Sequence, residues 1–306
     1  MSLAASVDPV APPRGNGPSI TWVPPAGGFA GLSILNGLLR ILTLGVYHFW
    51  GKTEVRQRIW SAVRIDGEPI EYRGTGGELF RGFLIVFFLI LLPMGLASFA
   101  SSLLLPPTWQ GVYQIAFWGV LFLLSGIGIY RARRYRLSRT RWRGIRGGLS
   151  GNSAEFAWTY LWTAMLVPLT LGWILPWRAV RLQRALSVDT RFGDSPFTFT
   201  GVAGPLYRRF WLVWVSSIVL AIAAIAAMAA IVGVSMPGAT GTAARMPRLD
   251  GGKIAGVVTV ILVALLIFAM IRAWYSAGML NYFAAHTRLQ GTGFTLRATA
   301  PSLIWL

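Results

Sequence analysis

The stretch TRFGDSPFTFTG (Thr190–Gly201) is polar and rich in turn-forming residues, although two long apolar segments flank it. Its arginine is the second residue, and Phe197 and Phe199 stand two positions apart after a Gly-Asp pair. Apolar residues at every second position after such a pair are typical of a short strand that follows a tight turn. We therefore predict a small β-hairpin at this point of the chain.

Three related stretches also have arginine as their second residue: VRIDGEPIEYRG from Val63, TRWRGIRGGLSG from Thr140 and TRLQGTGFTLRA from Thr287. We call the four stretches motif copies one to four, in chain order. Copies one and four keep the alternating apolar pair, which predicts further hairpins. Copy two has Gly147 and Leu149 at those positions, so its pattern gives no support to a hairpin. The motif arginines are Arg64, Arg141, Arg191 and Arg288.

The composition indicates a membrane protein. Hydrophobic residues make up 55% of the 306-residue chain and charged residues 12%, against roughly 25% charged in soluble proteins. The net charge is +18, but most Arg and Lys residues lie beside apolar segments, as they do at the cytoplasmic ends of membrane helices. We therefore expect no nucleic-acid partner. The chain has no cysteine, which excludes disulfides and thiolate chemistry.

Long uncharged runs predict membrane-spanning helices. The 49 residues between Arg81 and Arg131 carry no charge, and one span needs about 20 residues, so this run predicts two spans. The second half of the chain contains two more runs. The four predicted spans are Gly82–Leu105, Trp109–Tyr130, Phe210–Met236 and a helix from near Ile254 that projects beyond the membrane towards Ala285.

Two shorter apolar segments are less regular. Phe29–Trp50 carries Arg40 in its middle, and Phe156–Trp177 contains Pro168. Irregular backbone at membrane depth is tolerated where other parts of the protein bury it. We therefore predict broken or re-entrant helices in both places.

An internal repeat relates the two halves of the chain. With a shift of 127 positions, LTLGVYHFWGK (Leu42–Lys52) lies on LTLGWILPWRA (Leu169–Ala179), and the match runs without a gap from Phe29 to Arg81. Such a match predicts a duplication. The predicted divisions are a flexible Pro/Gly-rich tail at 1–28, a first membrane repeat at 29–150 and a second at 151–306.

The positive charges predict which loops face the cytoplasm. Arg and Lys number six in residues 51–81, eight in 131–153 and six in 178–209, whereas the turn at 106–109 has none. The positive-inside rule places the three rich loops in the cytoplasm, so the segment at 156–177 must return to the side that it entered. The alternative gives each half three crossings in inverted orientation, as in many transporters. It exports a loop with six positive charges, and we favour the re-entrant arrangement.

These patterns predict an all-α polytopic membrane protein. It has four transmembrane helices, two shorter broken or re-entrant helical segments, an internal two-fold repeat and small cytoplasmic β-hairpins.

The Leu-Thr-Leu-Gly run with its basic continuation, TRWRGIRGG from Thr140 and TRFGDSPFTFTG from Thr190 also resemble the YjgN family of bacterial inner-membrane proteins, whose function is unknown. The resemblance covers roughly residues 29–300. It implies a multi-pass location in the inner membrane, and it supplies no reaction, cofactor or catalytic residue.

The four motif arginines are the leading candidate site, together with Arg133 and Arg134. Guanidinium groups gathered at headgroup level can bind lipid phosphates, each contributing about 1 kcal/mol; the alternative is that they only set the topology. Glu78 and Glu155 stand four residues after the last glycine of their copies. They are candidates for an ion pair with a motif arginine, or simply complement a helix N-terminus.

The Leu-Thr-Leu-Gly breaks are the candidate lining of a cavity. Arg40 either extends towards the headgroups or faces that cavity. The candidate residues are Arg40, Thr43, Gly45, Thr170 and Gly172.

The sequence shows no nucleophile–base set, no HExxH and no Walker motif, which predicts a non-enzymatic protein without a metal or cofactor. We expect membrane lipids, anionic ones in particular, as partners; a membrane-protein partner or a homo-oligomer is left open. Two functions are compatible with these patterns. One is transport or lipid handling with a basic cytoplasmic face, and the other is a structural scaffold that binds anionic lipid or an acidic partner.

Overall fold

The computed structural model describes residues 19–24, 30–232 and 250–304, which are mostly helical. The prediction of four long apolar helices is confirmed within this part of the chain. The helices long and apolar enough to cross a membrane are Gly76–Leu104, Pro107–Ser138, Gly204–Ile231 and Gly251–Ala285. Contacts divide the chain into two compact units, residues 1–103 with 136–147 and residues 104–135 with 148–306. These packing units are a different division from the predicted repeats, whose boundary at residue 150 stays a prediction.

Several predictions lie partly outside the described residues. The tail predicted at 1–28 is described only at 19–24, where Ile20–Trp22 form a strand. The third span is described as far as Val232, and the segment predicted from Phe29 is described from Ala30.

The first unit combines short strands with helices of different lengths. Pro93 has no N–H for a regular helical bond, and the turn before it widens into a π-helical turn in which the Leu92 N–H bonds to the Phe87 carbonyl. The elements are β1 (Ile20–Trp22), α1 (Ala30–Leu42), α2 (His48–Ala62), β2 (Val63–Ile65), β3 (Glu68–Pro69), β4 (Glu71–Tyr72), α3 (Gly76–Val86), the π-helical turn (Phe87–Leu91), α4 (Leu92–Leu104), the end of α5 (Pro107–Ser138), β5 (Thr140–Trp142) and the start of β6 (Ile145–Leu149).

The second unit begins with most of α5. Its buried core consists of Val180, Phe199 and Leu206, with Met279 and Phe283 packed against them. The further elements are α6 (Ser153–Leu169), α7 (Leu175–Asp189), β7 (Thr190–Phe192), β8 (Ser195–Phe199), α8 (Gly204–Val232), α9 (Gly251–Ala285), β9 (Thr287–Leu289), β10 (Thr292–Gly293) and α10 (Ala300–Ile304).

Each predicted broken segment belongs to a pair of helices joined by a tight turn, α1–α2 in the first unit and α6–α7 in the second. Both pairs return to the place where they begin. The Val23 N–H, ahead of α1, bonds to the carbonyl of Ala62 at the end of α2 (2.8 Å). The Ser150 N–H, ahead of α6, bonds to the carbonyl of Asp189 at the end of α7 (2.9 Å). We call α1–α2 and α6–α7 the helical hairpins.

All four motif copies form β-hairpins with two-residue turns, as the facing residues on either side of each turn show. Copy two also forms a hairpin, although its pattern gave no support to one, because β5 and β6 pair. Gly147 breaks the apolar alternation for a steric reason: a Cβ there would lie 3.0 Å from the Leu137 carbonyl oxygen. The glycine allows the strand to approach the end of α5 closely.

The prediction of an all-α fold with separate hairpins was incomplete, because strands of different copies also pair. In the first unit β4 pairs with β5, with Tyr72 opposite Thr140. In the second unit β8 pairs with β9, with Phe199 opposite Thr287. These residues are far apart in sequence, so a local pattern carries no signal for the small sheets they form.

Candidate functional site

The two Leu-Thr-Leu-Gly sequences form the same turn. Leu44 and Leu171 have φ angles of 51° and 49°, and Gly45 and Gly172 follow with 91° and 82°. Positive φ is rare for leucine and costs energy, so its recurrence at matched positions indicates one shared turn design. Both leucines project outward, with 95% and 77% of their surface exposed.

The predicted cavity residues Thr43 and Thr170 close these turns. Each threonine hydroxyl donates to the carbonyl four residues earlier, at 2.7 Å in the first turn and 2.8 Å in the second. Each also accepts the N–H four residues later, at 2.9 Å and 3.4 Å. Arg40, the other candidate, lies exposed in the last turn of α1, and its carbonyl accepts the Gly45 N–H (2.7 Å).

A hydrogen bond that the sequence did not reveal recurs in all four motif copies. In each, a side chain on the preceding helix donates to the backbone carbonyl 17 positions later, at the end of the copy. The donor is glutamine in copy one, arginine in copies two and three, and asparagine in copy four. Because the residue type changes, the sequence repeat does not reveal this shared bond. The pairs are Gln57–Gly74 (3.3 Å), Arg134–Gly151, Arg184–Gly201 (2.9 Å) and Asn281–Ala298 (2.9 Å).

Two motif arginines share one face of the sheet in the second unit. Arg191 on β7 stands opposite Pro196, and Arg288 on β9 stands opposite Thr198. Pro196 and Thr198 are two positions apart on β8, and side chains two apart lie on the same face of a strand. Arg191 and Arg288 are both exposed there, whereas Phe199 faces the core.

The other two motif arginines are arranged in the same way in the first unit. Arg64 stands opposite Pro69, and Arg141 stands opposite Glu71. On its other side Arg141 faces Arg146 of β6. Loss of hydration, followed by the neighbouring charges of Arg146 and Arg73, lowers the pKa of Arg141. This face therefore carries crowded positive charge.

Arg133 and Arg134 lie on α5, outside the strands. Arg134 also donates to the carbonyl of Leu149 (3.0 Å), so it fastens the end of β6 to the helix. Arg133 is half-buried on the same helix.

The predicted acids have different surroundings. Glu78 pairs with Arg139 (2.6 Å), which immediately precedes copy two and is not itself a motif arginine. Its backbone N–H also bonds to the hydroxyl of Thr75, which caps α3 (3.3 Å). Glu155 is exposed in the first turn of α6 and forms no salt bridge with a described residue.

A cavity of about 630 Å³ lies in the second unit, beside the ends of α6 and α7 that adjoin the strands. Glu155 and Asp189 are its acidic side chains, and Arg181 and Arg184 are its basic ones. The sequence pointed only to Glu155 among these four. The helices could be predicted separately, but their packing brings the other three charges to the same opening.

Asp189 is tied to α5 through a buried tyrosine. The Tyr130 hydroxyl donates to Asp189 Oδ2 (2.7 Å), and Tyr130 has 0% of its surface exposed. The Arg134 guanidinium carbon lies 5.2 Å from the centre of the Tyr130 ring. Asp189 therefore has a fixed position at the edge of the cavity.

A further arginine lies inside the second helical hairpin. Arg178 Nε donates to the hydroxyl of the buried Thr163 (3.2 Å), and its guanidinium carbon lies 4.5 Å from the centre of the Tyr160 ring. The internal repeat did not point to Arg178, because the matching residue 127 positions earlier is Gly51. Among the described residues no group of three or more His, Asp or Glu side chains could hold a metal ion.

Comparison with known proteins assigns the chain to a family. The family described as "Bacterial protein of unknown function (DUF898)" matches residues 24–306. The "Inner membrane protein YjgN" of Salmonella typhimurium strain LT2 is 25% identical over 130 residues. That match covers 42% of this chain and 30% of the relative, so it spans less than a third of the relative's length. No solved structure matches the chain. With four long apolar helices in the described part of the chain, this is a multi-pass protein of the bacterial inner membrane, and it belongs to the DUF898 family of unknown function.

Proposed function

We propose that this protein is a non-enzymatic lipid-handling protein. The two helical hairpins dip into the membrane from the cytoplasmic side, and the motif arginines bind anionic headgroups at that surface. The observation that carries the proposal is the shape of the hairpins, which return to their starting strands and expose leucines at their tips.

The return of each hairpin supports the re-entrant arrangement. A hairpin that returns to the place where it begins would add no crossing to the chain, and the three positively charged loops would then all lie on one side of the membrane. This is the arrangement that the positive-inside rule favours. Inverted halves with three crossings each require these segments to pass through the membrane.

Matched details support an internal two-fold repeat. Glu71 and Tyr72 face Arg141 and Thr140, while Thr198 and Phe199, 127 positions later, face Arg288 and Thr287. The N–H groups of Arg73 and Thr200, again 127 apart, bond to the carbonyls that precede copies two and four (2.9 and 3.0 Å). Each repeat would then supply one helical hairpin and one pair of motif arginines.

The crowding of arginines supports binding of anionic lipid. Arg141 and Arg146 face each other directly on neighbouring strands. Like charges in such positions destabilise a sheet. A phosphate between them relieves the repulsion, and charge-assisted bonds from guanidinium groups to phosphate are strong. An acidic protein partner could use the same surface, which makes the scaffold function the second outcome of the experiment below.

Solute transport has less support than lipid handling. A transport path at the helix breaks requires a cavity lined by the Leu-Thr-Leu-Gly turns. The cavity of about 630 Å³ lies beside the strands instead, and its lining includes neither Thr43 nor Thr170.

Removing the four motif arginines tests lipid binding. We expect the quadruple variant Arg64→Gln, Arg141→Gln, Arg191→Gln and Arg288→Gln to bind cardiolipin at least tenfold more weakly, since each arginine near an anionic surface contributes about 1 kcal/mol. The affinity is measured by native mass spectrometry of the protein titrated with cardiolipin in neutral detergent.

The control variant also loses four positive charges, but from exposed arginines that lie outside the strands of the β-hairpins. It combines glutamine substitutions at Arg81, Arg131, Arg208 and Arg297. An equal loss of affinity in both quadruple variants contradicts the proposal. The scaffold function is favoured if the motif variant binds cardiolipin as well as the wild type does, but no longer captures an acidic protein that the wild type captures.

Single cysteines test the sidedness of the two repeats. Pro69 and Pro196 are exposed, occupy matched strand positions and lie in a chain without native cysteine. We expect Pro69→Cys and Pro196→Cys to react with an impermeant maleimide only from the cytoplasmic side, measured on right-side-out and inverted vesicles. Labelling of the two positions from opposite sides rules out the re-entrant arrangement.

A further inference from the structure

We propose that the cavity beside α6 and α7 binds a zwitterionic headgroup that carries both a phosphate and a primary amine, as phosphatidylethanolamine does. This inference rests on the proposed lipid-handling function and names a ligand class for one site. The motif arginines would bind anionic lipid separately. The charges, their partners and the size of the cavity support this assignment.

The size of the cavity suits a headgroup with part of its glycerol. Its volume is about 630 Å³, within the roughly 300–1,000 Å³ that is typical of small-molecule sites. Apolar side chains, including Phe156, Val180 and Val188, line it together with the charged groups. A lipid offers this combination of a charged end and an apolar remainder.

The basic groups are held in place without being neutralised. The Arg181 guanidinium carbon lies 5.3 Å from the ring centres of both Trp162 and Trp177. Cation–π contact fixes its plane and leaves its N–H groups for a phosphate. Arg184 bonds to the Gly201 carbonyl (2.9 Å), which is uncharged and leaves the positive charge of Arg184 intact.

The acidic groups are also left without cationic partners. Neither Glu155 nor Asp189 forms a salt bridge with a described residue, although both share the cavity with two arginines. Asp189 accepts the Tyr130 hydroxyl through Oδ2, and Glu155 accepts no hydrogen bond from a described side chain. A primary ammonium group has three donors and suits carboxylate oxygens.

The balance of charge distinguishes this site from the arginine faces. Two arginines and two carboxylates give the lining no net charge, whereas the strand faces concentrate arginine. An anionic lipid without an amine leaves both carboxylates without a cationic partner, so it forgoes the charge-assisted bonds that an ammonium group makes with them. A zwitterion with phosphate and ammonium ends can pair with both signs of charge.

The repeat provides a conservative variant for the test. Gln57 occupies the position of Arg184 in the first repeat and makes the same bond to a backbone carbonyl. Arg184→Gln therefore removes the charge and can keep this fastening. Glu155→Gln removes the acidic charge from an exposed position. Glu78→Gln is the control, because Glu78 occupies the matching position of copy one and does not line the cavity.

The experiment titrates the full-length protein in neutral detergent with short-chain phosphatidylethanolamine, phosphatidylcholine and phosphatidylglycerol, and counts bound lipid by native mass spectrometry. We expect the wild type to prefer phosphatidylethanolamine, whose ammonium donors phosphatidylcholine lacks. Glu155→Gln and Arg184→Gln should each weaken that binding about tenfold, whereas Glu78→Gln should leave it unchanged.

Free phosphoethanolamine distinguishes a membrane ligand from a soluble one. If free phosphoethanolamine displaces the lipid at an equal concentration, the natural ligand is a soluble phospho-amine. If it does so only at a far higher concentration, the natural ligand is the lipid. Both results support the assigned chemistry. Equal binding of the three lipids, or wild-type binding in both cavity variants, overturns the inference. If cardiolipin binding still depends on the motif arginines, that result leaves the proposed function intact.

Discussion

Replacing Gly126 with leucine is expected to lower the Tm of the purified protein by about 5 °C. Gly126 of α5 is buried against α6, where a Cβ would lie 2.7 Å from Ala157 Cα and 3.1 Å from the Cβ atoms of Ala157 and Tyr160. Small residues at such contacts let membrane helices approach closely. A leucine forces them apart, and overpacking of this kind costs about 3 kcal/mol.

The loss would spread beyond this contact. Ala157 is fully buried, and one helical turn further along α5 the buried Tyr130 packs against Phe156 with ring centres 5.4 Å apart. Tyr130 also holds Asp189. Separating α5 from α6 therefore breaks the contacts that keep the ends of α6 and α7 against α5, so we expect the thermal transition to broaden as well as move.

Gly128→Leu is the matched control, two residues along the same helix. Gly128 is exposed, and beyond its chain neighbours and its own helix backbone no atom of a described residue lies within 4 Å of the place that a Cβ would take. Its Tm should change by less than about 2 °C, as expected for a surface substitution. Differential scanning fluorimetry in detergent measures both variants. If the two substitutions shift the Tm equally, close packing of α5 on α6 is not what stabilises this unit.

Local pattern was sufficient to predict the spans and most hairpins. The uncharged run between Arg81 and Arg131 predicted two helices, and the structure separates them before Pro107. The alternation in copy three predicted β7 and β8. Copy two lacks this alternation because Gly147 lies too close to the Leu137 carbonyl for a side chain to fit easily.

The features that the sequence did not reveal depend on contacts between residues far apart in the chain. The pairing of β4 with β5 and of β8 with β9 joins different motif copies. The arginine positions could be predicted from the repeated motif, but the cavity charges could not. Arg181 aligns with Glu54 and Arg184 with Gln57, so a search for matched residues passes over both. Their proposed role depends on α6 and α7 lying side by side.

Cysteines at the hairpin tips are expected to be unreactive from both sides of the membrane. The substitutions are Leu42→Cys and Leu169→Cys, at matched positions whose leucines have 69% and 77% of their surface exposed. The helices that reach these tips have 13 and 17 residues, which makes them about 20 and 25 Å long. A hydrocarbon core is about 30 Å thick, so tips that enter from one side end inside the lipid.

The measurement is the rate of reaction with an impermeant maleimide on right-side-out and inverted vesicles, with full labelling after SDS denaturation as proof that the thiol is present. Trp109→Cys is the control for the opposite surface: Trp109 is 61% exposed and lies in the uncharged turn at 106–109, at the start of α5. It should react only from outside, and the tip cysteines at least tenfold more slowly from either side. Rapid reaction of a tip cysteine from the periplasm means that its hairpin crosses the membrane, whereas rapid reaction from the cytoplasm means that the hairpin lies on the surface. Only tips shielded from both solutions fit the re-entrant arrangement, because the exposed leucines then contact lipid and the strands at the other end of each hairpin remain at headgroup level.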